Sequence, residues 1–355
     1  MKFEPDYRNI VDVANNRKPS RLPLYEHVIS PEVMEKILGV EFAGLEHGND
    51  ADRKQFFTQF CRFFKEMTYD TVSYEICICD VLPAQWGALT GRVPGPIQTR
   101  AAFQACDWDG FFEKYVQIAN DRFEMLGRCL PAGMKAIGGI SNGVFEISED
   151  LVGLEHLAYM QHDDPQLFAD VYCKIGELMY KIWDWFLKTH AKHFCVCRFG
   201  DDLGYKNGTL TTPGNIRQHI MPQYRRTINR IHDAGLPFLW HSCGNIFEIM
   251  DDAIDCGIDA KHSNENIIAE FDTWIDLYGS RIGLFGGIDV DELCQPDAVK
   301  IYNHVVEVGT RYRAKAKGYA LGSGNSIPPY VPVEGYLAMV KAAQKIRETE
   351  LRGFH

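Results

Sequence analysis

Pro237-Phe238-Leu239-Trp240-His241-Ser242-Cys243-Gly244-Asn245 is the stretch from which the fold can be read. Four apolar residues lead to His-x-Cys, and Gly-Asn then turns into a helical pattern over Ile246 to Cys256. A short apolar run bounded by turn residues predicts a buried strand. Residues two apart on an extended chain share a face, so His241 and Cys243 point the same way at its end. Imidazole nitrogen plus thiolate sulfur is half of a zinc site. The competing reading is a thiol and an imidazole at the rim of a core.

Working outward, seven further stretches have the same form: Leu22 to His27, Thr71 to Cys79, Ala136 to Ile140, Phe194 to Phe199, Ile258 to Lys261, Arg281 to Phe285 and Gly318 to Leu321. Each is followed by a helical pattern, which predicts an α/β protein of the (β/α)₈ TIM-barrel type. No strand is followed by Gly-x-Gly-x-x-Gly, which argues against a doubly wound sheet. Residues 1–355 are expected to form one barrel domain. It carries a short helical extension over 1–20, with Asp6 to Lys18 as a surface helix. A long insertion over 81–135, around Trp86 and Pro94-Gly95-Pro96, follows a strand's end and is expected to cap the barrel mouth. Phe56, Phe57, Phe60, Phe63 and Phe64 recur at helical spacing, a core stripe.

Length and composition set the bounds. The 355 residues, 46% hydrophobic and 24% charged, describe a soluble globular protein with a large core. A net charge of −11 argues against nucleic acid or an anionic membrane as partner. Met1 to Lys18 lacks the apolar segment of a signal peptide, and no run is long enough to span a bilayer. Eleven cysteines without an export signal imply reduced thiols and a cytoplasmic location.

Nearly every expected strand ends on a polar or small residue: Glu26, His27, Asp80, Asn142, Asp201, Asp202, His241, Cys243, His262, Asp289 and Asn325. In a barrel these converge on the C-terminal face, where catalytic residues sit. Any one of them alone is more simply a helix cap. Together they describe a carboxylate-rich rim around His-x-Cys, suited to a divalent metal or a cationic or amide-rich ligand.

Leu239-Trp240-His241-Ser242-Cys243-Gly244, Gly286-Gly287-Ile288-Asp289 and Gly322-Ser323-Gly324-Asn325-Ser326-Ile327-Pro328 resemble the uroporphyrinogen decarboxylase superfamily, from about Arg21 to about Ile346. The resemblance implies the barrel and one of two chemistries. Porphyrin decarboxylases carry arginines after the first strand, where this chain has Tyr25-Glu26-His27-Val28-Ile29-Ser30. Asp80 matches their substrate-contacting aspartate, but Asn325 stands where they have histidine. An octa-acid substrate would meet Glu26 as a like charge, so porphyrin decarboxylation is not expected.

The nearer branch is that of the zinc-dependent methyltransferases, which work with corrinoids and hold zinc by His-x-Cys and a later cysteine. His241 and Cys243 match the first two ligands, and the third falls at Asn325. Glu26, Asp201, Asp202 and His262 are the candidate replacements, and Glu26 is the expected metal ligand. Asp80, Asp201, Asp202 and Asn325 are the expected catalytic residues. Nothing in the chain resembles a corrinoid-binding domain, so the corrinoid would reside on a separate protein. The resemblance thus implies methyl transfer between a small methylated compound and a corrinoid protein. The alternatives are a decarboxylase of a non-porphyrin acid, or a metal- or ligand-binding barrel without catalysis.

Overall fold

The computed structural model describes residues 3–352. Among them, seven parallel strands curl in chain order: β1 (Thr71–Cys77), β2 (Lys135–Ser141), β3 (Phe194–Gly200), β4 (Phe238–His241), β5 (Ala260–His262), β6 (Gly283–Ile288) and β7 (Tyr319–Ser323). The expected first strand, Leu22 to His27, is reduced to an extended stave. Leu24 alone bridges Leu321, and the Tyr25 and Leu321 N–H groups donate to the Leu321 and Pro23 carbonyls at 2.9 and 3.0 Å. Pro23 has no N–H to add to a ladder. Contact with β7 is close all the same, since a Cβ on Gly322 would lie 1.7 Å from the Tyr25 carbonyl oxygen. On its other edge the stave meets β1 through the Ser73 hydroxyl, which donates to the His27 carbonyl at 2.7 Å. Seven strands and a stave complete a (β/α)₈ barrel. Gly286-Gly287, just past the expected end of their strand at Phe285, lie inside β6, with φ of 108° and 104° that side-chain-bearing residues rarely adopt.

Each strand is followed by a helix: α1 (Asp50–Glu66) after the stave, then α2 (Trp108–Cys129), α3 (Pro165–Thr189), α4 (Met221–Asp233), α5 (Met250–Asp255), α6 (Phe271–Tyr278), α7 (Ala298–Lys315) and α8 (Val333–Arg352). Asn49 and Asp52 form a reciprocal capping box at the start of α1. All five phenylalanines of its stripe are buried. Burying each stabilises by about 1.5–3 kcal/mol.

Two expectations change. The N-terminal helix, Arg8–Ala14, is not a surface helix: Ile10, Val13 and Ala14 are fully buried against the inward-facing Ile137, Leu239, Ala260 and Ala320. It plugs the floor of the barrel with small apolar side chains at i, i+3 and i+4. Within 81–135, α2 is an ordinary crossover helix packed on α1 and α3, and only the 82–107 segment departs from the barrel plan. That segment packs on the helix Val144–Val152, which follows β2; Ile97 N–H donates to the Leu151 carbonyl and Gln98 to that of Val152, both at 2.8 Å. No helix among the described residues is long and apolar enough to cross a membrane.

Candidate metal centre at the barrel mouth

Alternation along the strands builds the mouth. Leu239 and Ala260 point into the barrel floor, so His241 and His262, two residues on, point into its upper end. The parallel register pairs them directly, His241 with His262. Tyr25 faces the floor in the same way and puts His27 above it, stacked on His241 with ring centroids 3.8 Å apart. Beneath these rings the fully buried Arg198 binds Glu75, Tyr25 and Ser73, and the other oxygen of Glu75 lies 3.6 Å from His27 Nε2. The barrel interior is therefore polar at its upper end and apolar at its floor.

The hydrogen bonds fix the tautomer of His241. His262 Nε2 lies 3.0 Å from the Ser323 carbonyl oxygen, an obligate acceptor, so this nitrogen carries the proton. Burial holds His262 neutral, pushing its pKa down to about 3, so Nδ1 is left as an acceptor. His241 Nδ1 lies 2.7 Å away and must donate to it. Burial also keeps His241 neutral. Its Nε2 lone pair therefore points outward, 3.4 Å from Cys243 Sγ and 3.8 Å from Asp202 Oδ1. Tetrahedral zinc sets nitrogen and sulfur ligands about 3.6 Å apart. Asp202 Oδ1 also accepts the Cys243 N–H at 2.9 Å, which ties the two ligands together. Imidazole, thiol and carboxylate within reach of one another are a donor set that fits zinc.

Two more groups face the sulfur. Ser263 Oγ and Asn325 Nδ2 each donate to Cys243 Sγ at 3.4 Å. Ser263 holds a left-handed backbone (φ 87°), with its carbonyl taken by the buried ammonium of Lys261. Burial pushes the Cys243 thiol up, whereas a bound dication would draw off its proton.

A family model described as uroporphyrinogen decarboxylase (URO-D) matches residues 90–346. The chain belongs to the uroporphyrinogen decarboxylase family. Among solved structures, a methyltransferase from Methanosarcina mazei superposes with a TM-score of 0.70 at 15% identity, over 96% of this chain and 99% of that one; the likeness is one of fold. A glycoside hydrolase family 5 enzyme from Prevotella bryantii B14 is similar at a TM-score of 0.43 and 9% identity, over 97% of this chain and 100% of that one. Xylanase B from Clostridium stercorarium F9 is similar at 0.41 and 9%, over 84% and 94%. Among curated proteins none matches the sequence.

Within this barrel the remaining expected site residues separate. Glu26 does not join His241 and Cys243: among the described residues the carboxylate beside them is Asp202. Glu26 sits between Tyr25 and His27, which both face the interior, so alternation turns it away. It is fully buried, and both of its oxygens accept from Ser323. Asp201 turns from the mouth as well. Its oxygens accept the Phe145 and Glu146 N–H groups at 2.9 and 2.8 Å and the Tyr224 hydroxyl, capping the helix Val144–Val152 from another strand. Asp80 is exposed and accepts from the Trp86 indole at 2.8 Å.

His27, His241 and His262 also lie close enough to be considered as a metal cage. Their ring geometry opposes it. His27 and His241 lie only 15° from parallel, so their in-plane lone pairs run side by side and do not converge. Ser263, and the Glu75–Arg198 pair below His27, were not singled out from the sequence. Ser263 follows His262 directly and was open to notice, whereas a buried ion pair between β1 and β3 leaves no local signal.

Proposed function

We propose that this chain is the substrate-side methyltransferase of a corrinoid-dependent system, with zinc held by His241, Cys243 and Asp202. The observation that carries this reading is the His241 Nε2 lone pair, oriented by the His262–Ser323 hydrogen-bond chain toward Cys243 and Asp202. Metal-binding histidines are oriented in this way through their second ring nitrogen. Family membership and the fold shared with the Methanosarcina mazei methyltransferase support the same reading.

Bound there, zinc would act as a Lewis acid on a substrate heteroatom, lowering its pKa and preparing it to give up or receive a methyl group. A carboxylate in the place of a second thiolate makes this a harder centre. The chain's own residues do the rest. His262 keeps the His241 proton on Nδ1. Ser263 and Asn325 hydrogen-bond the Cys243 sulfur and temper its charge. Asp202 closes the ligand set from the solvent side, its carboxylate still half-exposed. We assign Asp201 a positioning role through the helix it caps, and Asp80 a place on the rim with Trp86. The corrinoid would be carried by a separate protein docking over the mouth.

Zinc-loaded protein, reduced free corrinoid and a panel of methoxy, methylamine and methylthio compounds would test this. We expect methylation of the corrinoid, read from its visible spectrum, to occur with wild type and to be lost in His241→Ala and Cys243→Ala. No transfer from any donor by zinc-replete wild type would contradict the methyltransferase reading.

A further inference from the structure

Beside the metal centre, the C-terminal ends of β5, β6 and β7 open into a cleft of about 670 Å³. Asn325 is part of its wall and contacts Cys243 Sγ, so the cleft ends where the metal centre begins. Glu265, Asp289, Asp291 and Glu292 also line it, and no basic side chain does. Acidic walls are common without ligands, and two of these acids have structural duties. Asp289 accepts the Asn266 and Asp291 N–H groups at 2.7 and 2.9 Å. Glu292 accepts from the Asn266 amide at 3.0 Å and lies 3.1 Å from His304.

Three other features have no such duty. Glu265 is half-buried, and its carboxylate has neither an ion-pair nor a hydrogen-bond partner among the described residues. Asn264, in the same wall, is only 4% exposed. Its Oδ1 accepts the Gly287 N–H at 2.9 Å, which fixes the orientation of the amide, and its Nδ2 is left without a partner. Several buried polar atoms among the described residues lack a partner, and Asn264 Nδ2 is the one whose residue stands in the wall of this cleft, where an acceptor would complete it. Finally, Ile267 and Tyr330 leave large apolar surface on the cleft wall, 73% and 72% exposed.

We infer that the substrate carries an alkylated ammonium head, seated in this cleft against Glu265, together with a neutral oxygen or sulfur directed toward Asn264 and the metal centre. The inference rests on the methyltransferase reading and names the substrate class it left open. An alkylated ammonium spreads its charge over alkyl groups that pack on aromatic and aliphatic surface, which Tyr330 and Ile267 supply. Its charge pairs with Glu265, the half-buried one of the two wall carboxylates without a partner among the described residues; the other, Asp291, is exposed. A substrate bearing a carboxylate or sulfonate would be repelled by the same acids. A wholly neutral one would leave Glu265 unpaired. The neutral heteroatom answers the open donor of Asn264 and reaches the end of the cleft where the metal ligands stand. Binding of the remote head would thus hold the reacting end in place.

Choline, which joins such a head to a hydroxyl, is the probe. Titration calorimetry would compare it with its neutral isostere, in which carbon replaces the ammonium nitrogen. Choline should bind about tenfold more tightly than the isostere, and Glu265→Gln should remove about that factor, as should high salt. Tyr330→Ala, at an exposed position, should weaken choline without affecting folding. Equal affinity for choline and the isostere, or no choline binding to folded wild type, would overturn the inference. Zinc content measured on the same samples keeps the two readings apart. Zinc held through Cys243 without choline binding would sink the cleft assignment alone. Choline binding to protein that takes up no zinc would sink the metal centre alone.

Discussion

His262 decides whether His241 can serve a metal, although it is not itself a ligand in this arrangement. Its Nδ1 is the acceptor that keeps the His241 proton away from Nε2. His262→Ala should lower zinc affinity about 10–100-fold with the fold intact. His262→Gln, whose amide can accept from His241 and donate to Ser323, should recover most of the loss; equal losses in both variants would refute the tautomer argument. Glu26 has a different role. Burial raises its pKa from 4.5 to about 8, opposed only in part by the Ser323 hydrogen bonds. The folded chain thus keeps a proton that the unfolded chain gives up. Its contribution to stability is full below pH 4.5, falls as pH rises, and is lost above about pH 8. Glu26→Gln should flatten this dependence when urea midpoints are compared at about pH 5 and about pH 9; an unchanged slope would show that Glu26 does not titrate there. The same residue shows how far the sequence could be read. His241 was legible because it ends an apolar strand with its side chain inward, and Cys243, two residues beyond the end of β4, is held beside it by the Asp202 carboxylate that accepts its N–H. Period-two alternation over Tyr25, Glu26 and His27 separates Glu26 from the histidine beside it. Asp201 and Asp202 could not be told apart in this way, because the chain leaves β3 at Gly200 and alternation ends with the strand.

The strands were legible as short apolar runs, and the helices between them as periodic ones. Pro23 limited the first stave to a single bridge, a departure that a proline inside the run already hinted at. The plug helix Arg8–Ala14 reads as a surface helix because polar residues surround Ile10, Val13 and Ala14 in the sequence. What covers its apolar stripe is the barrel floor, which no local pattern reports. The 82–107 segment lies beyond the ends of β1 and β2, and we propose that it shields the mouth. Its anchor there is Trp86, through the indole bond to Asp80. Trp86→Ala should speed proteolytic cleavage within 82–107 while leaving the melting temperature within about 2 °C of wild type, since the turn around Trp86 is released while the buried Ile97 and the Gln98 amide still hold the segment to the helix Val144–Val152. Unchanged cleavage would show that Trp86 does not hold the segment down.

At the scale of the whole chain, the plug helix and α8 tie the N- and C-terminal parts to one barrel: Glu350 on α8 binds Arg313 on α7, and Arg347 on α8 reaches the Leu22 carbonyl on the stave. We propose that residues 1–355 unfold as one unit. Calorimetry should record a single transition, moved upward by zinc because the ligands are assembled only in the folded state. Two separable transitions, one of them insensitive to zinc, would argue for independent parts. The zinc content of purified protein, with zinc supplied and chelator withheld, bears most directly on the central claim. Wild type and Glu26→Gln should retain stoichiometric metal, and Cys243→Ala and Asp202→Ala should lose it. Near-zero metal in wild type, or loss of metal in Glu26→Gln with retention in Asp202→Ala, would contradict the centre described here.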